Sequence, residues 1–303
     1  MAATELRPLR IGEVLDATFK VYRRNALTLW KIVTLVVVPV NILGALVMIS
    51  VVPESFIDGT VEIDPNTGAI VRDDLWALLA GALIVGLISA VTLLAATAAC
   101  LKVVSDTYMG EKSSARSSLA FAGRRLHSLV WVGFLMLFFL ALIALVAVLA
   151  AVFVGPLVFF FFIPMVWLYI SWSFAPAAFL VEGVKGRAAL GRSFALVKGR
   201  WWPVFWTIVL GTFITAVFTF GIGMIWGLVA PTTGSLESTV LLDSVLQSIS
   251  AIVTMPFSAA LVGIIYFDLR VRKEGFDLQL LAQRISDPAT AAGALPPEAG
   301  PLR

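Results

Sequence analysis

The chain offers one cysteine, Cys100, and one histidine, His127. A lone cysteine excludes any disulfide within the chain and any thiolate metal cluster, so neither kind of staple holds this fold. Cys100 reads as a small apolar residue near the end of a membrane span. A lone histidine leaves metal binding, acid–base chemistry and Ser-His-acid catalysis with a single imidazole and no carboxylate cluster beside it. It follows Arg124 and Arg125 and reads as part of an amphipathic surface. No Gly-rich phosphate loop is present. The expectation is a non-enzymatic protein with no catalytic residues, no cofactor and no metal.

Charge is also scarce. Charged residues make up 14% of the chain against 60% hydrophobic ones, and the mean hydropathy is +0.98. One globular core cannot hide that much apolar surface, which excludes a soluble domain and makes the bilayer the solvent for most of the chain. An early apolar run is missing too. The first begins near Ile32, too late for a cleavable signal peptide, so the N-terminus is expected to stay on the cytoplasmic side.

What charge there is falls in an ordered pattern. Twenty-one of the 22 Lys and Arg residues lie in four segments, 1–31, 102–128, 182–200 and 268–303, with Arg72 the exception. Long uncharged stretches separate them, so the cations mark one face of a membrane that the chain crosses in pairs of helices. A crossing takes about 20 apolar residues. The spans are expected near 32–52, 75–101, 129–154, 156–181, 201–230 and 241–267, with Gly155-Pro156 turning the chain inside the longest uncharged stretch. Six spans put both termini inside. The loop from Val52 to Asp74 is acidic and turn-rich and reads as a solvated outer excursion.

The basic segments repeat one design. Ile11, Val14, Leu15, Thr18, Phe19 and Tyr22 form an apolar stripe at helical spacing, with Lys20, Arg23 and Arg24 off it. Leu190, Phe194, Val197 and Trp201 repeat the stripe, and Leu119, Phe121 and Leu126 give a weaker copy. A basic pair precedes the next span each time: Arg23 with Arg24, Arg124 with Arg125, and Lys198 with Arg200. These six cations are the candidate contacts to lipid headgroups. Trp30, Trp131, Trp201 and Trp202 follow as interfacial anchors. The expected fold is an all-α membrane protein of six transmembrane helices in three hairpins, each preceded by a basic amphipathic interfacial helix. The membrane domain covers 1–285, and 286–303 is a disordered tail rich in Pro and Ala.

Polar residues inside the spans are few. Asp243 is the only ionisable one, placed one turn from the end of its helix, and Asn41 and Gln247 join it as a candidate intramembrane polar site. Their plainest role is hydrogen bonding between helices. Gly223 and Gly227 of the fifth span favour close helix packing, and Gly221-Ile222-Gly223 is the first place to look for a flexible break.

Three stretches carry a family resemblance. They are Leu9 to Asp16 with Tyr22-Arg23-Arg24-Asn25, then Val181-Glu182-Gly183 with Arg192 to Trp202, and Tyr266 to Leu278. In them the chain resembles the actinobacterial membrane proteins grouped as the glycerophosphoryl diester phosphodiesterase membrane domain family, most of which have no assigned function. The resemblance implies a membrane-embedded accessory protein. The family name comes from fusions to a catalytic barrel that uses acids, histidines and a divalent metal, and this chain has no region for such a barrel. The reading is a non-enzymatic protein of the inner (plasma) membrane that engages anionic lipids and organises the envelope. A membrane-protein partner or a second copy fits that role, and nucleic acid does not. The alternative is a transporter or flippase for a lipid or small amphipathic molecule, with a cavity near Asn41, Gln247 and Gly221.

Overall fold

The computed structural model describes residues 9–51, 72–111, 113–154, 162–232 and 234–275. Among them all regular structure is helical: α1 (Ile11–Val51), α2 (Arg72–Met109), α3 (Ala115–Val154), α4 (Phe162–Trp172), α5 (Ala175–Glu182), α6 (Arg187–Val197), α7 (Trp201–Val229) and α8 (Leu236–Glu274). Six helical stretches are long and apolar enough to cross a membrane: Ile11–Ser50, Leu79–Met109, Ala115–Val146, Phe162–Glu182, Trp201–Thr232 and Glu237–Glu274. The chain is therefore a multi-pass helical membrane protein. The Gly155-Pro156 turn, most of the acidic loop and the Pro-rich tail lie outside the described residues.

Helix ends follow local chemistry. Ser235 caps α8 by accepting from the Ser238 N–H at 3.3 Å, and Gly275 ends it in the left-handed region at φ 58°. Pro176 starts α5, and Gly183 at φ 74° stops it. Two expected lead-in helices do not exist as separate elements. α1 and α3 run unbroken from the basic lead-in into the span, because no Gly or Pro interrupts 23–38 or 124–132. Only the third lead-in, α6, stands apart, where Gly199 at φ 85° turns the chain into α7. The fourth span departs in the opposite sense and splits into α4 and α5. Ser193 of α6 serves the break, its hydroxyl donating to the Ser171 carbonyl at 2.7 Å and accepting from the Phe174 N–H at 3.2 Å. α7 passes helically through Gly221 and Gly223 without a break.

Burial divides the bundle along its length. At the basic end the side chains are packed as in a soluble protein: Val14, Leu29, Ala99, Val103, Phe174, Phe179, Leu196, Tyr266 and Phe267 are all buried in one core. Beyond Lys31 and Trp131 the bundle turns outward. Leu43, Leu46, Leu83, Leu87, Phe138, Leu142, Phe213 and Phe220 are exposed, an apolar band suited to acyl chains. α1 packs most extensively on α8, and α8 also meets α2, α5, α6 and α7. Rings join these helices at Phe19–Phe257, 5.0 Å between centroids, and Tyr108–Phe267, 4.3 Å and nearly parallel. Bare backbone completes the fit. A Cβ on Gly263 of α8 would lie 2.8 Å from Val104 Cγ1 of α2.

Candidate functional site

The three intramembrane polar residues converge. Asn41 of α1 donates from Nδ2 to Ser248 Oγ of α8 at 3.0 Å, and Gln247 donates from Nε2 to Asp243 Oδ2 at 2.6 Å. Asn41, Asp243 and Gln247 line one cavity of about 240 Å³ with Gly44, Ser89 and Ser244. Asp243 and Gln247 also line a second, of about 620 Å³, between α7 and α8. The helical rise puts Asn41 about 15 Å beyond Lys31, near the middle of a hydrocarbon core about 30 Å thick. Asp243 lies two turns from the start of α8 and not one, because the helix begins at Leu236.

The six candidate headgroup cations separate into two kinds. Arg23, Arg24, Arg124, Lys198 and Arg200 are exposed. Arg23 and Arg24 border a concavity of about 690 Å³ with Asp16, Phe19 and Lys20. Arg200 is the residue from which α7 starts, and the Lys198 carbonyl accepts from Lys273 Nζ at 2.6 Å. Arg125 differs in also serving the protein. Its Nη1 donates to the Leu180 carbonyl at 3.0 Å, and its guanidinium sits 4.2 Å from the Phe121 ring centroid. The end of α5 leaves that carbonyl without a helical partner, so Arg125 is spent on protein structure. Arg125→Ala is expected to lower stability by about 2 kcal/mol while Arg124→Ala does not. Thermal melting of the two purified variants by size-exclusion chromatography checks this, and equal melting points would refute it.

Sequence reasoning missed two features. One is a groove of about 690 Å³ between α1 and α3, where Lys31 and Arg116 stand over Leu27, Trp30, Leu35 and Leu119. The signal for it was available, since both cations sit next to apolar spans. The other is an ionic node joining α5, α6 and α8. Glu182 accepts from Arg192 Nε at 2.7 Å and from the Tyr266 hydroxyl, with Arg270 Nε 3.5 Å away. Arg192 also pairs with Glu274, and Arg270 reaches Glu274 at 3.1 Å. The hydrogen bond to Glu182 leads the causes that hold the Arg192 guanidinium well above its ordinary value, so it stays charged. Beside the node, the Asp268 carboxylate accepts from the Leu9 N–H at 2.8 Å and from Arg272 Nε at 2.8 Å. The three stretches that carry the family resemblance therefore meet at one place.

Among the described residues no three His, Cys, Asp or Glu side chains cluster as metal ligands. Compared with known protein families, curated proteins and solved structures, the chain matches none.

Proposed function

We propose that this chain is a non-enzymatic protein of the inner membrane that holds anionic phospholipids at its basic end and serves as an accessory or scaffold in the envelope. Both termini then face the cytoplasm, on the side of the cations. The groove between α1 and α3 carries the reading. Lys31 and Arg116 have no ion-pair partner among the described residues, and the groove they share is otherwise lined mostly by apolar residues, Leu27, Trp30, Leu35, Ala115 and Leu119, with Thr34. Cations above an apolar slot match a phosphate headgroup above acyl chains, and each cation near an anionic surface contributes about 1 kcal/mol. Trp30 at the rim is fixed by donating from Nε1 to the Tyr22 hydroxyl at 3.0 Å. Arg23, Arg124 and Arg200 extend the cationic surface around the bundle.

Membership of the membrane-domain family belongs to the same reading, with the residues of the resembling stretches acting in structure at and beside the node. The lipid reading is tested by native mass spectrometry of protein taken from phosphatidylglycerol and phosphatidylcholine bilayers. Lys31→Glu with Arg116→Glu is expected to cut retained phosphatidylglycerol about tenfold and leave phosphatidylcholine unchanged, the loss of two favourable cations and the gain of two repulsive acids. Equal phosphatidylglycerol retention by the variant would sink the proposal.

A further inference from the structure

The cleft between α7 and α8 lies in the outer half of the apolar band, away from the basic groove. Its volume of about 620 Å³ falls within the range of small-molecule sites, about 300–1,000 Å³. Ile222 and Trp226 of α7 face Leu246 and Met255 of α8 across it. Thr219 and Ser250 approach to 3.3 Å across the two helices. Gly223 opens the wall, since a Cβ there would meet nothing within 4 Å.

Asp243 gives this apolar cleft a sign. It is the one charged residue between Thr239 and Phe267 of α8, and α7 carries none from Trp201 to Val229. One of its oxygens accepts from Gln247, the other has no partner among the described residues, and no Lys, Arg or His there pairs with it. A lone carboxylate at this depth is costly, which by itself points to a ligand or ion. A divalent cation asks for several oxygen donors around it, and among the described residues no three His, Cys, Asp or Glu side chains cluster here. A proton path asks for further ionisable groups along the band, and α8 supplies none before Asp268. What remains is one negative charge, an exposed Trp face and apolar walls.

We propose that the cleft binds lipophilic cations, molecules with one diffuse positive charge on a bulky apolar body. The charge is held by the free oxygen of Asp243 and by the Trp226 ring, and the body lies along Ile222 and Met255. Entry is lateral, from the membrane, since the cleft opens between two helices whose outer faces are apolar.

Tetraphenylphosphonium and tetraphenylborate have the same shape and opposite charge, so the pair separates electrostatics from size. Binding is measured by titration calorimetry on the full chain in detergent, with protein-free micelles subtracted. Wild type is expected to bind the phosphonium and not the borate. Asp243→Asn is expected to weaken phosphonium binding about tenfold or more. Gly223→Leu fills open space without a clash and is expected to abolish binding at an unchanged melting temperature, which guards against misfolding of the first variant. Equal binding of both probes, or unchanged phosphonium affinity in either variant, overturns the proposal.

Discussion

Glu182→Ala is expected to cost about 3 kcal/mol, because it removes one carboxylate of a largely buried node and leaves two guanidinium groups to share Glu274. The Glu182 side chain is 16% exposed and that of Arg270 is 13% exposed, so neither charge is screened as a surface group would be. Without the carboxylate, Arg192 and Arg270 share only Glu274, and the buried Tyr266 hydroxyl loses its acceptor. α5 then loses its ion pairs to α6 and α8, while the Arg192–Glu274 pair still joins α6 to α8. Tyr266→Phe keeps the ring and removes one donor, so about 1 kcal/mol is expected. Melting of the purified proteins should rank wild type, Tyr266→Phe, then Glu182→Ala. A Glu182→Ala protein that melts with wild type would show the node to be a surface decoration.

Gly263→Leu is the second large effect. At this position α8 presents backbone to α2, and a Cβ would meet Val104 Cγ1 at 2.8 Å and Leu101 Cδ2 at 3.5 Å. Val104 is fully buried and β-branched, so it has one favoured rotamer and nowhere to move. A leucine there forces the two helices apart, at a cost of about 1–3 kcal/mol or more. The substitution raises helix propensity, which opposes the loss by only about 1 kcal/mol. Gly223→Leu is the matched control, with the same gain in propensity and open space around it. If Gly263→Leu melts as high as Gly223→Leu, the close approach of α2 and α8 is not what holds the packed end.

The membrane half of this fold was legible in the sequence because an uncharged apolar run of span length is stable in a bilayer and almost nowhere else. The meeting of Asn41, Asp243 and Gln247 was legible for a related reason, since polar groups in hydrocarbon seek one another. The basic half was not. A stripe such as Leu190, Phe194 and Val197 shows that a helix has an apolar face, and the same stripe serves against lipid or against protein. Here it serves protein: Leu190 and Val197 are buried, and Phe194 packs on Trp167 at 5.3 Å. Val14 and Thr18 of α1 are buried in the same way. The bond from Arg125 to the Leu180 carbonyl was hidden on similar grounds, because a cation beside an aromatic ring at a span end fits a headgroup or a helix C-terminus equally well. Glu182 and Arg192 stand far in sequence from Tyr266, Arg270 and Glu274, and no local pattern announces that the two stretches share one charge node.

The dominance of the α1–α8 contact carries a consequence for biosynthesis. Phe19 meets Phe257, and the Leu9 amide meets Asp268, only after more than 200 further residues have left the ribosome. At about 5–20 residues per second the first helix waits roughly 12–48 s for the partner that covers it. During that interval its buried face, from Val14 to Val33, lacks the α8 surface that covers it in the folded protein. The nascent protein therefore passes through a stage that an insertase or a holding chaperone is suited to guard, and a ribosome stalled before α8 leaves a membrane-tethered fragment with an open apolar seam.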